Sequence, residues 1–436
     1  MRSHRRGRSA LAVTALFMST VLVAGCSGGS EGPAETSDPQ DTSPAAVGGL
    51  PAGAGKDDYI AAFADVDPII LGTQLAGPLG SLTNEARERY LAQVEEWSGG
   101  KITFDIAYSL AAAPFAEVPN ALKDGRLDIA FASAGYSPDI FPANAMLENV
   151  SVAGVGAPIG YMATTGTLTE IASSHPEFRE EWEAEGLVPL LWVESGNLAA
   201  IFCSEPRDTL AALQGGQIAV SGRVKSAEAR ALGMEPVSMS YQEQYEGLER
   251  GVIDCALSGP QAANTGGIIE VAPHVVMDAP STFSFTASTL LVAQRVWDEL
   301  PLVARQLLFD LLPTYIAGTI AQNYATIKVA LDVVDAAGGS ILELDEPARE
   351  ALHAANEEIL GEIRSSSHFA DPDALADAAR TTGERWIGRL HDAGYDGWGD
   401  SYQGLVDAYS DAEPTIEEFE AYAELVLEAQ SSDRPE

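Results

Sequence analysis

The sequence predicts an α/β protein with two lobes and a cleft between them, and two observations carry that reading. Residues 213–261, LQGGQIAVSGRVKSAEARALGMEPVSMSYQEQYEGLERGVIDCALSGPQ, alternate short apolar runs with helical periods and read as strand, helix, strand, helix, strand. The end of that unit, GLERGVIDCALSG from Gly247, has an earlier copy, ALKDGRLDIAFAS from Ala121. Each is a helix end, a glycine, an aspartate opening a strand, and a strand finishing in small residues. The copies lie too far apart for a solenoid and suit two similar α/β domains.

The first 25 residues stand apart. Arg2, Arg5, Arg6 and Arg8 precede a short apolar run over 10–24, and Val23-Ala24-Gly25-Cys26 follows. The run is too short to span a bilayer comfortably and reads as an export signal. A cysteine directly after Ala-Gly resembles the bacterial lipoprotein cleavage box, which would make Cys26 a lipid-bearing N-terminus held to the cell membrane. Residues 26–65 begin with a run of Gly, Ser, Pro, Ala and acids that is almost free of large apolar side chains. This predicts a flexible tether.

Charge follows the same division. The leader carries four arginines and no acid, so the remainder holds 21 basic against 64 acidic residues. Nucleic acid, which needs a basic face, is not an expected partner.

The folded part is expected to start with a buried strand over 68–74 and an amphipathic helix over 83–97, with Tyr90, Leu91, Val94 and Trp97 inward and charges outward. A strand over 101–108 and a helix over 115–123 lead into the first copy of the repeat. An apolar strand over 187–193 carries the chain to a second domain; residues 275–277 and 283–293 carry it back. More than one crossing makes a hinge with a cleft between the lobes. In the second unit a helix is expected over 226–232 and another over 241–250, the latter laying Tyr241, Tyr245 and Leu248 on its sheet. Gly233 and Gly251 sit where these helices stop. Long amphipathic helices over 300–336 and 346–364 follow. The expected divisions are domain I over 66–192 and about 282–310, domain II over 193–281, and C-terminal helices over 311–436 bracing the hinge and domain II.

Of the two cysteines left after Cys26, Cys203 and Cys255 both lie in strand-like runs. Outside the cytoplasm they are either a disulfide or two buried thiols.

The ordered series EEWSGGKITFDI, ALKDGRLDIAF, LGMEPVSM, EQYEGLERGVIDC, IIEVAPHVV and VWDELPLVARQLL, from about Ile69 to Ala348, resembles the solute-binding subunit of tripartite ATP-independent periplasmic (TRAP) transporters. The resemblance implies a two-lobed periplasmic-binding-protein-like fold with long C-terminal helices. It implies a monomer that catches a small solute, an organic acid, and delivers it to integral-membrane transporter subunits driven by an ion gradient. The same cleft could instead feed a sensor with a neutral or amine-bearing solute.

In that family an arginine after the Leu-Lys-Gly turn grips the solute carboxylate; here the position is Ala219. Arg223 and Lys225, just beyond, could supply the charge from a new place, or Arg223 is an exposed turn residue. Strand ends facing the cleft add Gln74, Tyr136, Ser258 and Gln261. The first crossing adds Trp192, as a floor or as core, with Glu194 and Asn197. Glu194 would suit an amine.

Catalysis finds no support. The histidines at 4, 175, 274, 353, 368 and 391 do not cluster, and no zinc-protease, P-loop or nucleophile-elbow motif is present. Asp392, Asp396 and Asp400 do not follow a calcium-loop pattern. Neither metal nor cofactor is expected.

Overall fold

The structure, a computed structural model, describes residues 48–436 apart from 155, 157, 195–198, 240 and 397–400. Cys26 and Asn197 lie outside the described residues.

Two sheet systems carry the fold. In the first, β1 (Ile69–Gln74) pairs in parallel with β2 (Ile102–Ala107), while β3 (Ile129–Ala132) and β4 (Leu187–Leu191) flank β10 (Thr289–Ala293) antiparallel. The second has six strands in the order β11-β9-β5-β8-β6-β7, formed by β5 (Ala200–Cys203), β6 (Gln217–Val220), β7 (Glu235–Ser238), β8 (Cys255–Ser258), β9 (His274–Val276) and β11 (Ser340–Leu342). Strands β7, β6 and β8 run parallel, as a strand-helix-strand unit requires. The chain crosses between the sheets after β4 and returns between β9 and β10.

The repeat has the same architecture in both copies. Helix Val118–Asp124 ends at Gly125 with φ of 84°, and helix Tyr241–Glu249 is followed by Gly251 with φ of 65°, a left-handed conformation that glycine adopts without a Cβ clash. The aspartates then act alike. The Asp128 carboxylate accepts the Gly72 N–H at 2.7 Å and pairs with Arg295; Asp254 accepts the Gln217 N–H at 2.8 Å and pairs with Arg207. Asp128 thus ties the start of β3 to the middle of β1, and Asp254 ties the start of β8 to the start of β6.

Cys203 and Cys255 sit directly opposite across β5 and β8 and form a disulfide.

Several boundaries differ from expectation. Residues 56–65 are not tether: Lys56–Ala62 is a helix, and Tyr59, Phe63 and Val66 are buried. Tyr59 Oη donates to Asp310 at 2.6 Å, so this short apolar motif has a core to enter. The helix expected over 226–232 runs over Arg223–Ala231, because Gly222 at φ of 90° turns the chain three residues earlier. Of 283–293 only β10 joins a ladder. The 300–336 helix is two, Leu302–Asp310 and Leu312–Ala336, with Pro313 in the first turn of the second.

Helix Pro158–Ser174 gave no periodic signal because it is buried almost all round. It packs on helices Pro372–Asp392 and Glu420–Ala429. The C-terminus also fastens to the first lobe: Gln430 reaches the Leu190 carbonyl, and Arg434 pairs with Asp310 at 2.8 Å.

Candidate functional site

The carboxyl ends of the strands in both sheets converge on the two crossings, where open α/β sheets place ligands. The first sheet system contributes Thr73 to Leu75 at the end of β1, Ser133 after β3 and Glu194 after β4; the second contributes Gly222 after β6 and Ser258 at the end of β8. Two clusters of charge lie here.

The first is built on Arg87, on helix Glu85–Trp97. Its guanidinium donates to Glu194 at 2.7 Å and to Tyr315 Oη at 3.2 Å, and lies 3.9 Å over the Phe131 ring. Tyr315 Oη also donates to the same Glu194 oxygen. Burial works against the Arg87 charge, but Glu194 and Tyr315 together outweigh it and its pKa rises. Beside this cluster a recess of about 20 Å³, room for one water, is lined by Thr73, Gln74, Phe131 and Leu290.

The second cluster is built on Lys225, in the first turn of helix Arg223–Ala231 and buried. Its ammonium donates to Glu148 at 3.0 Å and to Thr286 Oγ1 at 2.8 Å. Glu148 lies between β3 and β4, on helix Leu147–Ser151, and Thr286 on the returning crossing, so Lys225 joins the second lobe to the first and to the hinge. One turn further on, Glu228 is fully buried and accepts the Ser284 N–H at 2.6 Å and the Ser284 hydroxyl at 2.9 Å. Burial pushes the Glu228 carboxyl up to about 7, against the pull of Lys225 and Ser284.

The candidates from sequence fall into three groups. Glu194 belongs to the Arg87 cluster. Ser258 and Gln261 are half-buried at the end of β8, and Tyr136 is exposed and stacks on Phe115 at 6.3 Å, beside the end of β3. Three others have their groups engaged elsewhere. Both ends of the Gln74 amide bond the Ala113 backbone, at 2.9 and 3.0 Å, which fixes its orientation beside the recess. Trp192 is core: its indole N–H donates to Asp433 at 2.6 Å and Arg179 covers its ring, so it offers the cleft no face. Arg223 pairs with Glu362 at 2.6 Å and donates to Asn149 at 3.3 Å, with more than half its side chain in solvent.

Sequence reasoning missed Arg87, Glu148, Glu228 and Thr286 as site residues. Arg87 sits on the face read as outward charges, and Glu148 in MLENVS carries no motif. Ala219 is wholly buried within β6, so its position presents no polar group. A roomier cavity, about 190 Å³, lies between helices Pro158–Ser174 and Pro372–Asp392, with Val150 and Ser151 of the helix that carries Glu148 in its wall.

Residues 74–366 match the model of the bacterial extracellular solute-binding protein family 7, two thirds of the chain. The chain belongs to that family. As a family 7 protein it is an extracytoplasmic solute receptor that works with TRAP membrane components. Its fold is similar to a TRAP periplasmic solute-binding protein of Sulfitobacter sp. solved with bound β-D-galacturonate, at TM-score 0.57 and 15% identity over 72% of this chain and 99% of that one. It is similar to a Bordetella pertussis extracytoplasmic solute receptor binding pyroglutamic acid, at TM-score 0.59 and 16% identity over 71% and 99%. It is also similar to the periplasmic ectoine-binding protein of a Halomonas elongata TRAP transporter, at TM-score 0.61 and 15% identity over 72% and 99%. No helix among the described residues of this family 7 protein is long and apolar enough to cross a membrane.

Proposed function

We propose that the protein captures a small organic acid between its lobes and hands it to ion-gradient-driven TRAP membrane subunits, acting as a monomeric receptor with no chemistry of its own. The galacturonate and pyroglutamic acid bound by two proteins of the same fold support an acid as the solute. The observation that carries the reading is Lys225. It is a buried cation at the first turn of a helix, set between the lobes a short step beyond the empty arginine position at Ala219. An ammonium joined to unpaired helix N–H groups makes an anion site. Lys225 thus replaces the bidentate arginine of the family with a point charge.

Thermal melting of the purified protein against carboxylates, sugars, amines and neutral solutes tests this. A ligand at a hundred times its dissociation constant adds about 2.7 kcal/mol, a shift of several degrees. A carboxylate should give that shift and lose it in Lys225→Met. Shifts with sugars or amines alone would overturn the reading.

We propose further that Cys26 is lipidated and holds the receptor on the outer face of the cell membrane. Cys26→Ser should move the protein from the membrane to the soluble fraction; unchanged membrane retention would contradict the anchor.

A further inference from the structure

The residue that Lys225 pairs with narrows the class of acid. Glu148 lies 3.0 Å from the Lys225 ammonium, and both side chains are largely removed from water. A Cβ at Gly222, where helix Arg223–Ala231 begins, would lie 3.8 and 3.9 Å from the two Glu148 oxygens. The chain's own carboxylate therefore stands where a solute carboxylate would meet Lys225 and the helix N-terminus. Glu228, one turn further along the same helix, adds a second buried carboxyl.

We infer that the solute is a zwitterion, a small acid with a cationic group a few bonds from its carboxylate, which inserts between Lys225 and Glu148. This rests on the organic-acid reading of the cleft. A plain monocarboxylate entering here takes Lys225 from Glu148 and leaves that carboxylate out of water without a partner, beside a second anion, which is costly. A zwitterion keeps every charge paired. Its carboxylate takes the Lys225 ammonium, the Thr286 hydroxyl and the first-turn N–H groups; its cation takes Glu148. A further group is ready for it. The Ser133 hydroxyl is buried with no hydrogen-bond partner among the described residues, and it and the Thr286 methyl both lie within 4 Å of where a Gly135 Cβ would be. Arg87 does not change this count, because Glu194 neutralises it.

Isothermal titration calorimetry of the purified protein tests the inference. The probes are α- and β-amino acids and trimethylammonium carboxylates, each set against the deaminated acid of the same carbon skeleton. At least one zwitterion should bind tenfold or more tightly than its deaminated counterpart. Glu148→Gln, which keeps the shape and removes the charge, should bring that ratio to about one or invert it. Deaminated acids binding the wild type as tightly as the zwitterions would overturn the inference and leave the organic-acid reading standing, a comparison that needs no variant to fold. An unchanged ratio in a folded Glu148→Gln protein would remove Glu148 from the site. Binding of neither class would overturn both readings.

Discussion

Glu228 shows what a single buried carboxyl does to the molecule. Its carboxyl titrates near 7 in the folded state, because of burial, against 4.5 for the group in its ordinary state. Between those values the unfolded chain has released the proton that the folded chain still holds, so stability falls as pH rises through that window and the loss persists above it. The shift corresponds to about 3 kcal/mol, as an order of magnitude. Denaturant unfolding from pH 4.5 to 8 should show this downward slope, and Glu228→Gln should flatten it. Arg87 works in the opposite sense. Arg87→Ala leaves Glu194 and Tyr315 without their cation and should cost roughly 1–3 kcal/mol, discounted for partial exposure. Little of this was legible. Ser258 and Gln261 are legible as the end of a strand and Glu194 as part of a crossing, whereas Glu148 and Glu228 matter only through residues about 80 and 60 positions away, distances that no local pattern records.

At the scale of elements, the strand-helix-strand unit over 213–261 and its earlier copy were readable because period and glycine placement are local. The twin aspartates were readable as positions, but not as the clips that join neighbouring strands. Asp128→Ala and Asp254→Ala should each lower the melting temperature by several degrees, through a lost backbone acceptor and an arginine left without its partner. The Cys203–Cys255 bridge closes a separation of 52 residues, and its removal by a Cys203→Ala/Cys255→Ala pair should cost about 2–5 kcal/mol in chemical denaturation. Helix Pro158–Ser174 was illegible for the opposite reason to the surface helices: buried nearly all round, it has no polar face to set a period.

At the scale of the whole molecule, the two-lobed plan was legible from the repeat and the crossings, and the place where the tether ends was not. Deleting residues through 65 strips Tyr59 and Phe63 from the core and should cost about 3–5 kcal/mol, measurable as a lower denaturant midpoint.

The near end of the described chain also meets the far end. The Leu50 carbonyl accepts a hydrogen bond from Arg434 at 3.0 Å, and the Pro435 carbonyl accepts one from the same Gln306 side chain whose Oε1 receives the Leu50 N–H. Entry and exit are thus a single seam. A short linker joining 435 to 50 would make a circular permutant whose new ends could be opened elsewhere with this seam kept closed.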